Sequence, residues 1–327
     1  QNITQNSQQL NKKISKEIYM PYCPHTGTEI TAMLDAIGIS SIDKLFSEIS
    51  DNLPAANIAD LAVGVEEQEL VREIRTAAPI KNQQCYIGAG AYEHAIPAIV
   101  WELVTRGELL TAYTPYQAEA SQGTLNLIFQ FQTLMSKLTA MQFCNASVYD
   151  AATALAEAIL MAARQTKQKT ARIVIPRNLH PNYRQTIRTL LKHQPVELIE
   201  INFDNKTGLI DKQKLEDITD ITALVIAQPN FFGSCDDVNY YTDWVHAQGG
   251  LLIAAINPMS LGKLKAPGNW GKTGVDIVCG DVQPFALPLS YGGPYCGFLC
   301  CNKELLRQIP GRIVGKTIDS KGQMAYT

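Results

Sequence analysis

The sequence is poor in charge. Only 18% of its 327 residues are Asp, Glu, Lys or Arg, against roughly 25% in a typical soluble domain. The 28 basic and 31 acidic residues leave a net charge of −3, so no basic field favours nucleic acid or an anionic membrane. The low charged fraction predicts that much of the surface is buried, either within the chain or against another subunit.

Paired cysteines and long apolar runs are also lacking. The eight cysteines include no Cys-x-x-Cys pair, which argues against a metal site or a disulfide framework and predicts small buried side chains in a reducing cytosol. Residues 1–16 lack the apolar core of a signal peptide. Apolar runs such as residues 222–227 are far shorter than a membrane helix. We therefore expect a cytoplasmic protein.

Several catalytic motifs are missing as well. The Gly-x-Gly at residues 88–90 lacks the third glycine of a dinucleotide-binding loop. There is no P-loop, no Gly-x-Ser-x-Gly and no His-Glu-x-x-His. The histidines stand apart along the chain, so no metal site is predicted. Their positions are His25, His94, His180, His193 and His246.

Composition predicts three segments. Residues 1–19 are rich in Gln, Asn, Lys and Ser and are expected to be a disordered extension. Residues 20–65 are expected to form a helical N-terminal arm, with Thr28 capping one amphipathic helix and Ser41 a second. Residues 66–327 would form one large domain. Its end shows no closing helix or cap, which predicts a truncation and a missing C-terminal small domain.

Apolar runs alternate with amphipathic stretches after residue 170. Buried strands that alternate with helices predict an α/β fold with a mostly parallel sheet and helices on both faces. The predicted strands are residues 172–176, 197–202, 223–227, 251–256, 276–279 and 295–300. The predicted helices are residues 66–78, 96–106, 121–138, 151–165, 181–193, 211–217 and 237–247.

Polar aromatic residues cluster in two turn-rich segments, residues 91–94 and 111–123. Such segments either line a pocket or supply turn and interface residues, since tyrosine suits half-wet surfaces; the sequence favours neither interpretation. The candidate residues are Tyr92, His94, Tyr113, Tyr116, Gln117 and Glu119.

Residues 145–153 lead into an alanine-rich helix. With Ser147 or Asp150 as cap, the helix N-terminus could cradle a phosphate. The alternative is an ordinary capped helix that packs closely through its alanines, and the local sequence alone favours this alternative.

Seven ordered motifs lie along the chain. They are IGAGAYEHAIP (87–97), YTPYQAEASQG (113–123), NASVYD (145–150), QPNFFG (228–233), NPMSLG (257–262), PLSYGGP (288–294) and PGRIVG (310–315). These motifs closely resemble the glycine cleavage system P-protein family, and in particular the N-terminal (α) subunit of its split bacterial form. The resemblance runs from about Met20 to the last residue.

This resemblance implies the large domain of the fold type I pyridoxal-phosphate (PLP) enzymes. In that fold a lysine after a late strand holds PLP covalently, and a carboxylate holds the pyridine nitrogen protonated. The family's lysine segment corresponds here to residues 282–285, which puts Gln283 at the lysine position and Asn257 at the carboxylate position. Ser147 and Asp150 would be further degenerate cofactor-site positions. The chain is therefore expected to hold no PLP itself, and Lys263, Lys265 and Lys272 are expected to be surface residues.

The resemblance also implies a function. With a catalytic subunit 2 that carries the PLP lysine, the chain would decarboxylate glycine and pass the aminomethyl group to the lipoyl arm of H-protein. An α2β2 heterotetramer is implied, in which the tyrosine-rich segments line the partner's site. Two alternatives stay open: an autonomous PLP-dependent decarboxylase that uses another lysine, and a purely structural scaffold subunit.

Overall fold

The computed structural model describes residues 25–50, 52–53, 62, 64–77, 88–110, 115, 117–290 and 292–327. Internal contacts divide the chain into two units, residues 1–82 and 83–327. The border predicted from composition lies between residues 65 and 66, and the predicted segment limits stay a prediction. The expected disordered extension, residues 1–19, lies outside the described residues.

The described part of the first unit contains two α-helices and a short 3-10 helix. Helix α1 (Gly27–Ile37) begins at Thr26, whose hydroxyl accepts from the Glu29 amide while the Glu29 carboxylate accepts from the Thr26 amide. Thr26 forms this capping box, so the expectation that Thr28 caps the helix is wrong. The second expected helix is a five-residue 3-10 helix, Ile42–Phe46, too short for an amphipathic face. Helix α2 spans Glu67–Ala77.

The second unit is an α/β structure. Its helices are α3 (Ala98–Val104), α4 (Gly107–Leu110), α5 (Gln122–Thr139), α6 (Ala151–Ala163), α7 (Pro181–Leu191), α8 (Lys212–Glu216), α9 (Val238–Ala247) and α10 (Gln283–Ala286). Its strands are β1 (Phe143–Cys144), β2 (Ala171–Pro176), β3 (Val196–Ile201), β4 (Ala223–Gln228), β5 (Leu251–Ile256), β6 (Ile277–Asp281), β7 (Gly297–Cys301), β8 (Lys316–Ile318) and β9 (Met324–Tyr326).

Within the part of the chain that the structure describes, seven strands form one sheet in the order β1-β7-β6-β5-β4-β2-β3. Strands β2 to β6 are parallel to one another, whereas β7 runs antiparallel to both β6 and β1. The expected mostly parallel α/β fold is therefore confirmed. Strand β1 is an addition, since a two-residue strand carries no periodic signal.

Helices cover both faces of the sheet. Because side chains alternate along a strand, one set of strand residues packs on α6 and α7, and the other set packs on α5, α8 and α9. Strand β4 shows the division: Val225 belongs to the α6 side, and Leu224 and Ile226 belong to the other. All three are completely buried.

Helix α6 packs closely on the sheet because its inner face is small. Ala154, Ala158 and Ala162 are fully buried, and alanine also has the highest helix propensity. Strands β5 and β6 also approach each other closely at Gly280, where an added Cβ would lie 2.1 Å from the Ile256 carbonyl oxygen. Any side chain at Gly280 would therefore force the two strands apart.

The chain ends in a hairpin of β8 and β9. As expected, no helix or cap lies at residues 324–327, but the hairpin was not predicted from the sequence. The Gln122 side chain at the start of α5 accepts a hydrogen bond from the Tyr326 amide and donates one to the Tyr326 carbonyl. These two bonds hold the hairpin against the start of α5.

The described cysteines are free thiols. Cys144, Cys279, Cys300 and Cys301 are buried, as expected of small apolar residues, but Cys235 is exposed, so that expectation is wrong for Cys235. None of the described helices is long and apolar enough to cross a membrane.

A half-buried ion pair joins α9 to the loop before β6. The His246 Nε2 atom lies 2.8 Å from the Asp276 carboxylate, and the same Asp276 oxygen accepts from the Leu252 amide. The hydrogen bond to Asp276 raises the pKa of His246 above its usual value of 6.5, with burial opposing the shift.

We expect His246→Gln to lower the free energy of unfolding by about 1 kcal/mol at pH 5.5. Because the pKa of His246 is raised on folding, this contribution is complete below the unfolded pKa near 6.5 and is lost as pH rises through the folded pKa. Urea unfolding of the unchanged protein and of His246→Gln at pH 5.5 and pH 9 measures the difference in unfolding free energy. Titratable groups that both proteins share contribute equally and cancel in this difference. An equal difference at both pH values would contradict this assignment.

Candidate functional site

A cavity of about 270 Å³ lies at the carboxyl ends of the central strands. Asn230 follows β4, Asn257 follows β5 and Asp281 ends β6, and all three line the cavity. Ala151, the first residue of α6, lines it as well. Parallel strands bring these ends to one edge of the sheet, which is where ligands bind in open α/β folds.

Asp281 links β6 to the start of α6. One carboxylate oxygen accepts from the Ala151 amide at 2.9 Å, and the other accepts from the Tyr183 hydroxyl at 3.3 Å. Burial raises the pKa of Asp281 to about 6, with the nearby Asp150 adding to the rise and these two hydrogen bonds opposing it. Asp281 is therefore mostly ionised at neutral pH and titrates just below it.

His180 is held as a neutral imidazole. The Asn182 amide donates to its Nδ1 at 3.1 Å, so Nδ1 carries no proton, and Nε2 donates to the Ala89 carbonyl at 2.8 Å. The ring stacks on Tyr183 with centroids 4.8 Å apart and meets Phe231 edge-on at 5.0 Å. His180 therefore lends the cavity an aromatic wall without a positive charge.

A buried carboxylate organises the loop after β4. Asp236 accepts from the side-chain amides of Asn178 and Asn230 and from the backbone amide of Ile210. Burial raises the pKa of Asp236, although these hydrogen bonds oppose the shift. The network fixes Asn230, which reaches the cavity wall.

The structure brings together the positions that the sequence analysis assigned to a degenerate cofactor site. Asn257 and Gln283 both line the cavity. Gln283 is only 4% exposed, and its amide donates to the Leu287 carbonyl at 2.6 Å. Asn257 accepts from the Met259 amide.

Asp150 is the N-cap of α6 and accepts from the Thr153 amide at 2.7 Å. Ser147 has a positive φ of 131° and does not cap the helix. The structure thus decides between the two candidate caps in favour of Asp150. Their role toward a cofactor stays a prediction.

The tyrosine-rich segments are described only in part. Tyr92 is 45% exposed and lines the cavity, whereas Gln117 and Glu119 are exposed and do not line it. The Nε2 atom of His94 is buried and lacks a hydrogen-bond partner in the described part of the chain. Tyr113 and Tyr116 lie outside the described residues.

The candidate lysines lie away from the cavity. Lys263, Lys265 and Lys272 are exposed, and no lysine is among the described residues that line the cavity. Lys265 bonds the Asn239 side chain instead. Across the described residues, no group of three or more His, Cys, Asp or Glu side chains could hold a metal ion.

The strand order, with β7 as the antiparallel strand next to β6, and the cavity at the strand ends define the large domain of the PLP-dependent fold type I enzymes. A crystal structure of an inhibitor-bound glycine decarboxylase (P-protein) of the glycine cleavage system superposes with a TM-score of 0.77 at 36% identity. It covers 94% of this chain and 68% of that structure's chain.

The sequence comparisons agree with this class. The family model "Glycine cleavage system P-protein" matches residues 20–327, and the chain belongs to this family. A Legionella pneumophila (strain Corby) protein named "Probable glycine dehydrogenase (decarboxylating) subunit 1" is 50% identical over 94% of this chain and 68% of its own length. A protein of the same name from Coxiella burnetii (strain Dugway 5J108-111) is 49% identical over 94% of this chain and 69% of its own length.

The cavity does not fit a covalently held PLP. A Schiff base needs an amine, and position 283 offers a buried amide instead. The neutral Asn257 cannot stabilise a pyridinium proton as a carboxylate would. At the start of α6 the amides of Ala151 and Thr153 already donate to carboxylates, so they are not free for a phosphate.

Sequence reasoning missed His180, Tyr183 and Asp281. Asp281 could have been found by the reasoning that found Asn257, because both polar residues end a buried apolar strand. His180 and Tyr183 are three residues apart and can share one helix face, but nothing local relates them to Asp281, 98 residues beyond Tyr183.

We expect borohydride reduction after incubation with PLP to leave no pyridoxyl group on Lys263, Lys265 or Lys272 beyond the labelling of the urea-unfolded chain. The reason is that these exposed amines have no cavity to order the cofactor. Peptide mapping by mass spectrometry measures the modification. Selective labelling of any one of them in the native chain would contradict the assignment.

Proposed function

We propose that this chain is the non-lysine subunit of a glycine decarboxylase and works with a catalytic subunit 2 that carries PLP. The observation that carries the proposal is Gln283, a buried amide at the position where the family resemblance puts the cofactor lysine. The "subunit 1" in the names of the relatives supports a divided enzyme.

The proposed complex removes CO₂ from glycine and transfers the aminomethyl group to the lipoyl arm of H-protein. Its PLP chemistry belongs to the partner subunit, since the residues here do not fit the cofactor. We propose that the complex is a cytoplasmic α2β2 heterotetramer. The low charged fraction supports extensive subunit contacts.

Exposed apolar side chains support the same proposal. Ile99, Trp101 and Leu103 on α3 are 58%, 50% and 48% exposed. Leu127 and Leu134 on α5 are 57% and 65% exposed. Such concentrations of exposed apolar surface are typical of protein interfaces.

His94 is the candidate that we propose to complete the partner's site. A buried polar atom normally has a hydrogen-bond partner, and the Nε2 atom of His94 has none among the described residues. A group from the catalytic subunit or its substrate would satisfy this atom. Tyr92, Tyr113, Tyr116, Gln117 and Glu119 are proposed to line the same entrance.

We expect glycine decarboxylation only when this chain is combined with subunit 2. In the reconstituted complex, His94→Phe and Tyr113→Phe should each lower the rate roughly tenfold to a hundredfold, the value of one lost hydrogen bond in the transition state. The measurement is release of labelled CO₂ from glycine with H-protein present, with size-exclusion chromatography to follow assembly. His193→Phe, at an exposed position, is the matched control and should keep full activity.

The outcomes separate the alternatives. Decarboxylation by this chain alone would identify an autonomous enzyme and overturn the proposal. Full activity of both the His94 and Tyr113 variants in an intact complex would reduce the chain to a scaffold. Loss of activity together with loss of assembly would show that these residues act in subunit contact and not at the partner's site.

A further inference from the structure

The charges that line the cavity are not those expected of a phosphate-binding site. Among the described residues that line it, Asp281 is the one carboxylate and there is no Lys or Arg. His180 is neutral because the Asn182 amide donates to its Nδ1 atom. Among the described lining residues, the single formal charge at neutral pH is therefore negative.

The Asp281 carboxylate keeps capacity for another donor. Its two oxygens accept one hydrogen bond each from the described residues, from Ala151 and Tyr183, whereas a carboxylate offers about four lone-pair sites. No Lys, Arg or His of the described chain forms an ion pair with it. A partly buried carboxylate without a cationic partner carries a desolvation cost, and a cationic ligand would relieve that cost.

An anionic ligand is disfavoured at the same place. The N-terminus of α6 would attract a phosphate through its free amides, but the Ala151 amide donates to Asp281 and the Thr153 amide donates to Asp150. The chain's own carboxylates thus occupy the anion site, and their charge repels a further anion.

Apolar side chains form part of the remaining wall, beside the polar Asn230, Asn257, Ser260 and Gln283. Leu179, Phe231, Ala255 and Ile256 line the cavity beside the stacked rings of His180 and Tyr183. A volume of about 270 Å³ exceeds the roughly 150 Å³ that holds a benzene molecule in an engineered cavity. Aromatic faces also attract cations. The space is therefore too large for a bare ion and suits a cation that carries a few carbon atoms.

We infer that this cavity is a binding site for a small primary alkylammonium compound, whose ammonium group bonds the Asp281 carboxylate and whose carbon chain lies against the apolar walls. The site is separate from the proposed decarboxylation, which takes place on the partner's cofactor. It does not depend on the proposed function, because it rests on the residues of this chain alone.

Binding of this kind depends on pH with a defined sign. The pKa of Asp281 near 6 means that acid removes the attracting charge, while an alkylamine stays protonated up to about pH 10. Affinity should therefore fall about tenfold from pH 8 to pH 5. The titratable groups that face Asp281 are Asp150, Tyr183, Cys279 and Cys296, with His180 stacked on Tyr183.

Isothermal titration calorimetry on the full chain with n-butylammonium chloride tests the inference. Sodium butyrate and n-butanol are matched controls, since they share the carbon chain but carry a negative charge or none, and inorganic phosphate and potassium chloride test the anion and the bare ion. We expect n-butylammonium to bind at least tenfold more tightly than any of the four. Equal or tighter binding of butanol, butyrate, phosphate or potassium would overturn the inference.

Asp281→Asn keeps the size of the side chain and removes its charge. It should weaken n-butylammonium binding roughly tenfold to a hundredfold, the usual effect of losing a charged hydrogen bond. Glu304→Gln removes one exposed carboxylate outside the cavity and should leave the affinity unchanged within twofold. If Asp281→Asn does not fold by circular dichroism, the pH series on the unchanged chain decides, and an affinity that does not fall toward pH 5 would overturn the inference.

Discussion

The hydrogen bond from the Ala151 amide to the Asp281 carboxylate fixes the beginning of α6 against the end of β6. Two further contacts act at the same point. Val148 pairs with Gly297 of β7, and the Asp150 carbonyl approaches Gly297 so closely that a Cβ there would lie 2.4 Å from it. The start of α6 is therefore held against both β6 and β7, and its alanine face packs on the sheet.

The same constraint shapes the cavity at the strand ends. The carboxyl ends of β4, β5 and β6 converge because the sheet is parallel, and the close approach at Gly280 depends on backbone atoms. Gln283 and Asn257 line the cavity but take no part in this backbone approach. The contacts that shape the cavity therefore do not depend on these two polar side chains.

The filling of the helix terminus by Asp281 follows from the same geometry. An N-terminal helix end with free amides is stabilised by a negative charge, and without a phosphate a buried side-chain carboxylate can take that place. The accompanying rise in the pKa of Asp281 to about 6 is the electrostatic cost of burying it. Asp281 therefore both fixes the start of α6 and supplies the negative charge of the cavity.

The elements with a strong periodic signal were predictable from the sequence. The strand at residues 251–256 is found as predicted, and the helix predicted at residues 121–138 spans Gln122–Thr139. Short elements were not predictable. The two residues of β1, for example, form a strand only because they pair with β7, more than 150 residues away. Similarly, the five-residue segment Ile42–Phe46 is too short for periodicity to separate a 3-10 helix from an α-helix.

The candidate site likewise contains residues that could be predicted from the sequence and contacts that could not. Asn257 and Gln283 could be assigned because long motifs with fixed spacing surround them. The contact between Tyr183 and Asp281 could not, because it depends on where α7 and β6 lie relative to each other in three dimensions. The charge state of His180 likewise follows from backbone atoms of Asn182 and Ala89, which no sequence pattern encodes.

The most direct measurement of the central claim is the PLP content of the complex co-purified with subunit 2. Release of the cofactor in alkali, followed by absorbance spectroscopy and quantification of both chains, gives the number of PLP molecules per pair of subunits. The account predicts one PLP per pair, all of it attached to subunit 2. Two PLP per pair, or any attachment to this chain, would contradict it.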